Sequence, residues 1–142
     1  MTKTYHGFEG LNVDQAARTF RKKISLLCKN LPASEKFLLK DQILRSSRSI
    51  TANIAEDYGR FHFKEFIQFC RQARGSLTET PEHLICAADE GYLSKAQLSE
   101  FRNDYSNLLR LINEFINYLQ KQLLMQKNNT TITTNTTNST NQ

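Results

Sequence analysis

Residues 94–119 read SKAQLSEFRNDYSNLLRLINEFINYL. Within them Leu98, Phe101, Tyr105, Leu108, Ile112, Phe115 and Leu119 recur at spacings of 3, 4, 3, 4, 3 and 4. That period places all of them on one stripe of an α-helix packed nearly parallel to its neighbours. The opening Ser94-Lys95-Ala96-Gln97 is a helix-start pattern, because a serine hydroxyl and a glutamine three residues on can each cap the other's backbone amide. The stripe can continue through Leu123. Asp89, Glu90 and Gly91 before it read as a turn.

Upstream, Phe63, Phe66, Cys70, Ala73, Leu77 and Leu84 mark a helix running from about Phe63 towards Ala88. Pro81 falls inside it. An interior proline removes one backbone hydrogen bond and crowds the preceding turn, at about 3 kcal/mol. A kink near Thr78–Thr80, or an earlier end with a fresh start at Pro81, is therefore expected. A helix from near Ser34 to about Tyr58 carries Leu39, Ile43, Ser47, Ile50, Ile54 and Tyr58, widened by Leu44, Thr51 and Ala55. The first helix is expected over Val13–Leu31, with Asn12 as its N-cap and Pro32 stopping it. Its stripe is Val13, Ala17, Phe20, Ile24, Leu27 and Leu31.

The expected fold is all-α: an antiparallel up-down-up-down four-helix bundle over residues 12–127. Residues 1–11 read as an irregular lead-in. Residues 128–142 are almost only Asn, Thr, Ser and Gln, too polar to offset chain entropy, and read as a disordered tail.

Composition excludes several classes. The chain has 142 residues, with 39% hydrophobic and 23% charged residues, 5 glycines and 2 prolines, too few turn residues for a β-sandwich or barrel. No run approaches the apolar length of a membrane span, and the N-terminus has no apolar stretch that would read as a secretory signal. The three cysteines, Cys28, Cys70 and Cys86, have no metal-site spacing. They read as free buried thiols in a reducing cytoplasm.

The charge is uneven. Residues 1–74 hold 14 Lys+Arg against 7 Asp+Glu, whereas residues 75–142 hold 5 against 7. A basic half points to an anionic partner such as RNA or DNA, or to a solvated face that only keeps the protein soluble; charge alone leaves both open. The candidate nucleic-acid contacts are Arg18, Arg21, Lys22, Lys29, Arg45, Arg48, Arg71 and Arg74, a surface suited to holding phosphates without reading bases. Signatures of RNA-recognition motifs, zinc fingers and KH loops are missing.

Chemistry has little support. No HExxH, P-loop, GxGxxG or GxSxG occurs. A di-iron bundle needs Glu-x-x-His on two helices; here Glu79 and His83 are four apart and have no counterpart. No catalytic residue, metal or cofactor is expected.

The most distinctive string is residues 45–60, RSSRSITANIAEDYGR. It places Ser46, Ser47, Ser49, Asn53 and Glu56 on one helix with Ile50, Ile54 and Ala55. Small residues permit close helix approach, and Asn53 and Glu56 are spaced to share a side, within reach of the turn at Gly59-Arg60 or a facing helix. The string reads either as a polar network fixing bundle register or as a contact surface.

Arg45, Ser49-Ile50, Asn53-Ile54-Ala55-Glu56 and Gly59-Arg60 resemble the hallmark of the four-helix bundle proteins encoded in 23S rRNA intervening sequences. Lys64-Glu65-Phe66-Ile67, Phe69, Ala73, Gly75-Ser76-Leu77 and Glu79 resemble that family's third helix, and Phe8, Leu31-Pro32 and Gly91-Tyr92 fit as well. The resemblance covers roughly Tyr5 to Gln122. Arg48, Asp57, Thr80 and Pro81 depart from the family's usual residues. The resemblance implies a homopentamer without catalytic activity. It also implies similarity to the accessory protein of diversity-generating retroelements, a basic pentamer that binds nucleic acid and a reverse transcriptase. Arg45, Ser49, Asn53, Glu56, Gly59, Arg60, Glu65, Ser76 and Glu79 would then be chiefly structural.

Three functions are thus in play. One is a non-enzymatic oligomer that binds structured RNA or DNA through its basic half. Another is a protein-interaction scaffold, for example for a reverse transcriptase. The third is a metal or small-molecule enzyme built in the bundle core. Leu26, Phe37 and Leu38 lie off the main seams, as expected for a second interface between copies or for local packing against the lead-in.

Overall fold

The computed structural model describes residues 7–35, 38–55 and 63–140. Four helices make the architecture: α1 (Gly7–Lys29), α2 (Leu39–Ala55), α3 (Phe63–Asp89) and α4 (Lys95–Thr140). Each packs on its neighbours in chain order, and α1 closes the ring against α4; among the described residues the α1 backbone does not come close to that of α3, nor the α2 backbone to that of α4. The bundle is therefore square in section, and the α1–α2 face lies opposite the α3–α4 face.

The helical stripes form the core. All six positions of the first stripe, from Val13 to Leu31 just beyond the end of α1, are buried, as are Leu39, Ile43, Ser47, Ile50 and Ile54 of α2. From α3 and α4 come Phe66, Cys70, Ala73, Leu77, Leu84, Phe101, Leu108, Ile112, Phe115 and Leu119. Ile67, Thr80, Ala87 and Ile116 widen those stripes. Two edge-to-face aromatic pairs tie α4 into the core: Phe66–Phe115, with ring centroids 5.3 Å apart, and Phe20–Phe101, at 6.4 Å. Such pairs contribute about 0.5–1.5 kcal/mol each beyond their buried area.

The helix ends show how the chain turns. The amides of Gly91 and Tyr92 turn back onto the carbonyls of Ala88 and Ala87, at 3.0 and 2.9 Å. Gly91 supports this with a φ of 80°, a left-handed geometry that glycine adopts without strain. At the start of α4, Gln97 N donates to Ser94 Oγ at 3.1 Å and Ser94 N donates to Gln97 Oε1 at 2.9 Å, the reciprocal cap expected from the sequence.

The structure departs from expectation at four places. α1 begins at Gly7, so Asn12 sits inside it rather than capping it, and residues 7–11 of the expected lead-in are helical. α2 starts at Leu39 rather than near Ser34: beyond Pro32 the chain makes one 3₁₀ turn, Ala33–Glu35, and Glu35 Oε2 then accepts from the Leu39 amide at 3.4 Å. Of the two outcomes expected at Pro81, the earlier end with a fresh start does not occur, because α3 runs unbroken through it. Cys86 is exposed, whereas Cys28 and Cys70 are buried. At the other end, α4 extends to Thr140, past the end of its apolar stripe. Residues 124–130 are all exposed, so this stretch, polar from Gln126 onwards, adds nothing to the core.

Candidate nucleic-acid interface

The basic residues sort by helix phase. On α1, Arg18, Arg21, Lys22 and Lys29 follow one another at helical intervals of 3, 1 and 7 residues, which keeps them on one flank. Arg21 fixes which flank this is, because its Nη1 donates to Thr51 Oγ1 on α2 at 3.4 Å. Lys23 points the other way, donating to Asp104 Oδ2 at 2.8 Å and Glu100 Oε1 at 3.1 Å on α4. These two hydrogen bonds, that to Asp104 first, hold the Lys23 ammonium above its usual range. Lys23 is thereby neutralised on the α4 side, while Arg21 stays on the α2 side.

Facing them on α2 are Arg48 and Lys40. Burial pushes the Cys28 thiol on α1 up, while Lys40 and Arg48 draw it back down, so both cations stand close to the α1–α2 seam. Sequence alone does not single out Lys40, because its proximity to α1 depends on the angle at which α2 packs. The acid on this flank of α1, Asp14, is 3% exposed and ion-paired to Arg18 at 3.2 Å. A buried carboxylate already paired to an arginine does little to offset the surface potential. The α1–α2 face thus joins Arg18, Arg21, Lys22, Lys29, Lys40 and Arg48.

The other candidates lie elsewhere. Arg45 is directed towards the α2–α3 groove and pairs with Asp41 at 2.6 Å. Arg74 donates to Asn113 Oδ1 on α4 at 2.9 Å. Arg71 bonds Gln68 on its own helix at 3.5 Å and lines a shallow groove between α3 and α4. These arginines do not extend the basic face; two of them stand on the opposite side of the bundle.

The residues carrying the family resemblance gather between α2 and α3. Asn53 Nδ2 donates to Ser49 O at 2.9 Å and to Ser49 Oγ at 3.1 Å, and Ser76 Oγ on α3 donates to Ser49 Oγ at 2.8 Å. One turn away, the Ser46 and Thr80 hydroxyls stand 3.4 Å apart. Among the described residues, Asn53 therefore bonds its own helix and meets α3 through Ser49. This hydroxyl ladder spares the two helices unsatisfied polar atoms at close approach. Arg45, Ser49, Ser76, Glu79 and His83 line the outer groove above it. Glu65 lies in the first turn of α3, beside the α3–α4 groove. Phe37, Glu56, Tyr58, Gly59 and Arg60 lie outside the described residues. Among the described residues no group of three or more His, Cys, Asp or Glu is placed to hold a metal ion, and no helix is long and apolar enough to cross a membrane.

These features define an antiparallel four-helix bundle with one strongly basic face. The family model described as "23S rRNA-intervening sequence protein" matches residues 9–114, and the chain belongs to that family. Among solved structures, it is similar to a Bacteroides thetaiotaomicron VPI-5482 protein of unknown function from the S23 ribosomal protein family. The two are 28% identical with a TM-score of 0.70, over 78% of this chain and 99% of that one. No curated protein is significantly similar to the chain.

Proposed function

We propose that the protein is a non-enzymatic, homo-oligomeric bundle of the cytoplasm that binds structured RNA or DNA through its α1–α2 face, with the pentamer as its assembly. The observation that carries this reading is the convergence of Arg18, Arg21, Lys22, Lys29, Lys40 and Arg48 on one face, where Asp14 is buried. The family's link to an rRNA gene is in keeping with it.

The face supplies what phosphates need and little that bases need. On α1 the cations span about 16 Å at 1.5 Å per residue, and α2 offers a second row about 8–10 Å away. Two rows of guanidinium and ammonium groups neutralise backbone charge and release counterions. Phosphate contacts position a nucleic acid without specifying sequence. Several copies in one assembly multiply such contacts, so that individually weak sites act together.

The test is charge reversal. An Arg21→Glu, Lys22→Glu double variant, checked for native helicity, should lose at least about tenfold in affinity for an RNA hairpin at low salt. Unchanged affinity would remove the α1–α2 face from the reading. If the unaltered protein binds no nucleic acid at low salt, the face serves a protein partner instead, and a reverse transcriptase encoded beside the gene becomes the first one to try.

A further inference from the structure

On the solvent side of α3, Lys64, Gln68, Arg71, Gly75, Glu79 and Glu82 recur at spacings of 4, 3, 4, 4 and 3. That is one helical stripe, and all six residues are exposed. Its charge divides at the glycine: Lys64 and Arg71 lie on one side, Glu79 and Glu82 on the other. Among the described residues none of these four takes part in an ion pair. Arg71 bonds the neutral Gln68 one turn back at 3.5 Å. Glu65 falls about a quarter turn off the stripe.

Nothing within the chain requires Gly75 to lack a side chain. A Cβ built on it would meet nothing within 4 Å. It stands exposed in the middle of a 27-residue helix, where glycine is a poor helix former. What its missing side chain permits is close approach from outside.

The stripe is its own complement when reversed. Arg71 is four residues before Gly75 and Glu79 four after; Gln68 is seven before and Glu82 seven after. Two α3 helices crossing antiparallel at Gly75 thus set Arg71 of each copy opposite Glu79 of the other. These two pairs lie about 6 Å along the helix from the crossing, at 1.5 Å per residue. Gln68 meets Glu82 in the same way, with Lys64 one turn further on. A parallel crossing would instead oppose like charges.

We infer that a second copy of this chain docks antiparallel on the outer stripe of α3, about a two-fold axis at Gly75. The contact is isologous and closes on two copies. It leaves the α1–α2 face free. Being two-fold, it is also distinct from any contact that closes the proposed ring of five: it pairs two single chains or two rings.

Light scattering at micromolar concentration tests it with Arg71→Glu and Glu79→Arg, both at exposed positions and so expected to keep native helicity. The unaltered protein should have the mass of an even number of chains, and each variant half of that. An equimolar mixture of the two should recover the full mass, because each reversed charge then faces its opposite on the other copy. Gly75→Gln adds a side chain where the chain itself leaves open space, so it should keep helicity and also halve the mass. An unaltered mass of one chain or any odd number, variants that keep the full mass, or a mixture that stays at half overturns the inference. A five-chain mass does so while the ring stands; a two-chain mass that the variants halve supports the inference and removes the ring.

Discussion

Arg21 on α1 and Thr51 on α2 are joined by a 3.4 Å hydrogen bond, and this single crossing fixes the side of the bundle on which the first helix displays its positive charge. Thr51 is 8% exposed and its hydroxyl also donates to Arg48 O at 3.1 Å, so Arg21 is anchored at the margin of the core. Lys22 and Lys29 make none of the ion pairs formed by Arg18 and Lys23. Replacing both by alanine should leave the melting temperature nearly unchanged, yet lower the salt slope of nucleic-acid binding by about 2, one for each phosphate no longer neutralised. The same substitutions at Arg71 and Arg74, across the bundle, should leave the slope unchanged. Fluorescence anisotropy with a labelled hairpin reads both.

The hydroxyl ladder predicts a stability effect. Asn53→Leu removes two donations to Ser49, and Ser49 is the hydroxyl that meets Ser76. Net contributions of such bonds are about 1 kcal/mol, so the variant should melt several degrees lower. An unchanged melting temperature and oligomeric state would show that the ladder is incidental to register.

Pro81 predicts a gain. The helix continues through it, so the Leu77 carbonyl lacks the amide donor that any other residue would supply. The side chain is half-buried beside Leu98, Phe101 and Tyr105. Pro81→Leu should raise the melting temperature, by up to the equivalent of about 3 kcal/mol. A fall would mean that the proline's shape is part of the packing.

The thiols should separate by burial. Burial pushes Cys70 up to about 12, so in the folded chain it stays protonated where an unfolded thiol ionises. The unfolded state then binds fewer protons, and this group's contribution to stability falls as pH rises from about 9 towards 12. At pH 9 a thiol reagent should modify one cysteine of the native protein, Cys86, promptly, and Cys28 and Cys70 only on unfolding. Prompt reaction of Cys70 would contradict its place in the core.

Much of this architecture was legible because apolar period alone determines a bundle core. The stripes on α1 and α4, the Ser94–Gln97 cap and the turn at Gly91 follow from local rules and occur as expected. What local rules do not contain is the rotation of each helix against its neighbours. Arg74 and Arg21 look alike along the sequence; one turns to Asn113 and the other to Thr51. Lys40 joins the basic face through the packing of α2 on Cys28. Cys86 resembles its two buried counterparts in the sequence but falls on the outer side of α3. The Ser49–Ser76 bond likewise connects two motifs whose meeting depends on the α2–α3 register.

The most direct test of the α1–α2 face as a nucleic-acid interface is a salt titration of the nuclease-treated protein against an RNA hairpin and a DNA duplex. If about five phosphates are neutralised per face, log affinity should fall against log salt with a slope of about −4.5 on duplex DNA, with little dependence on sequence. Absence of binding at low salt, or an affinity that does not move with salt, would contradict the account.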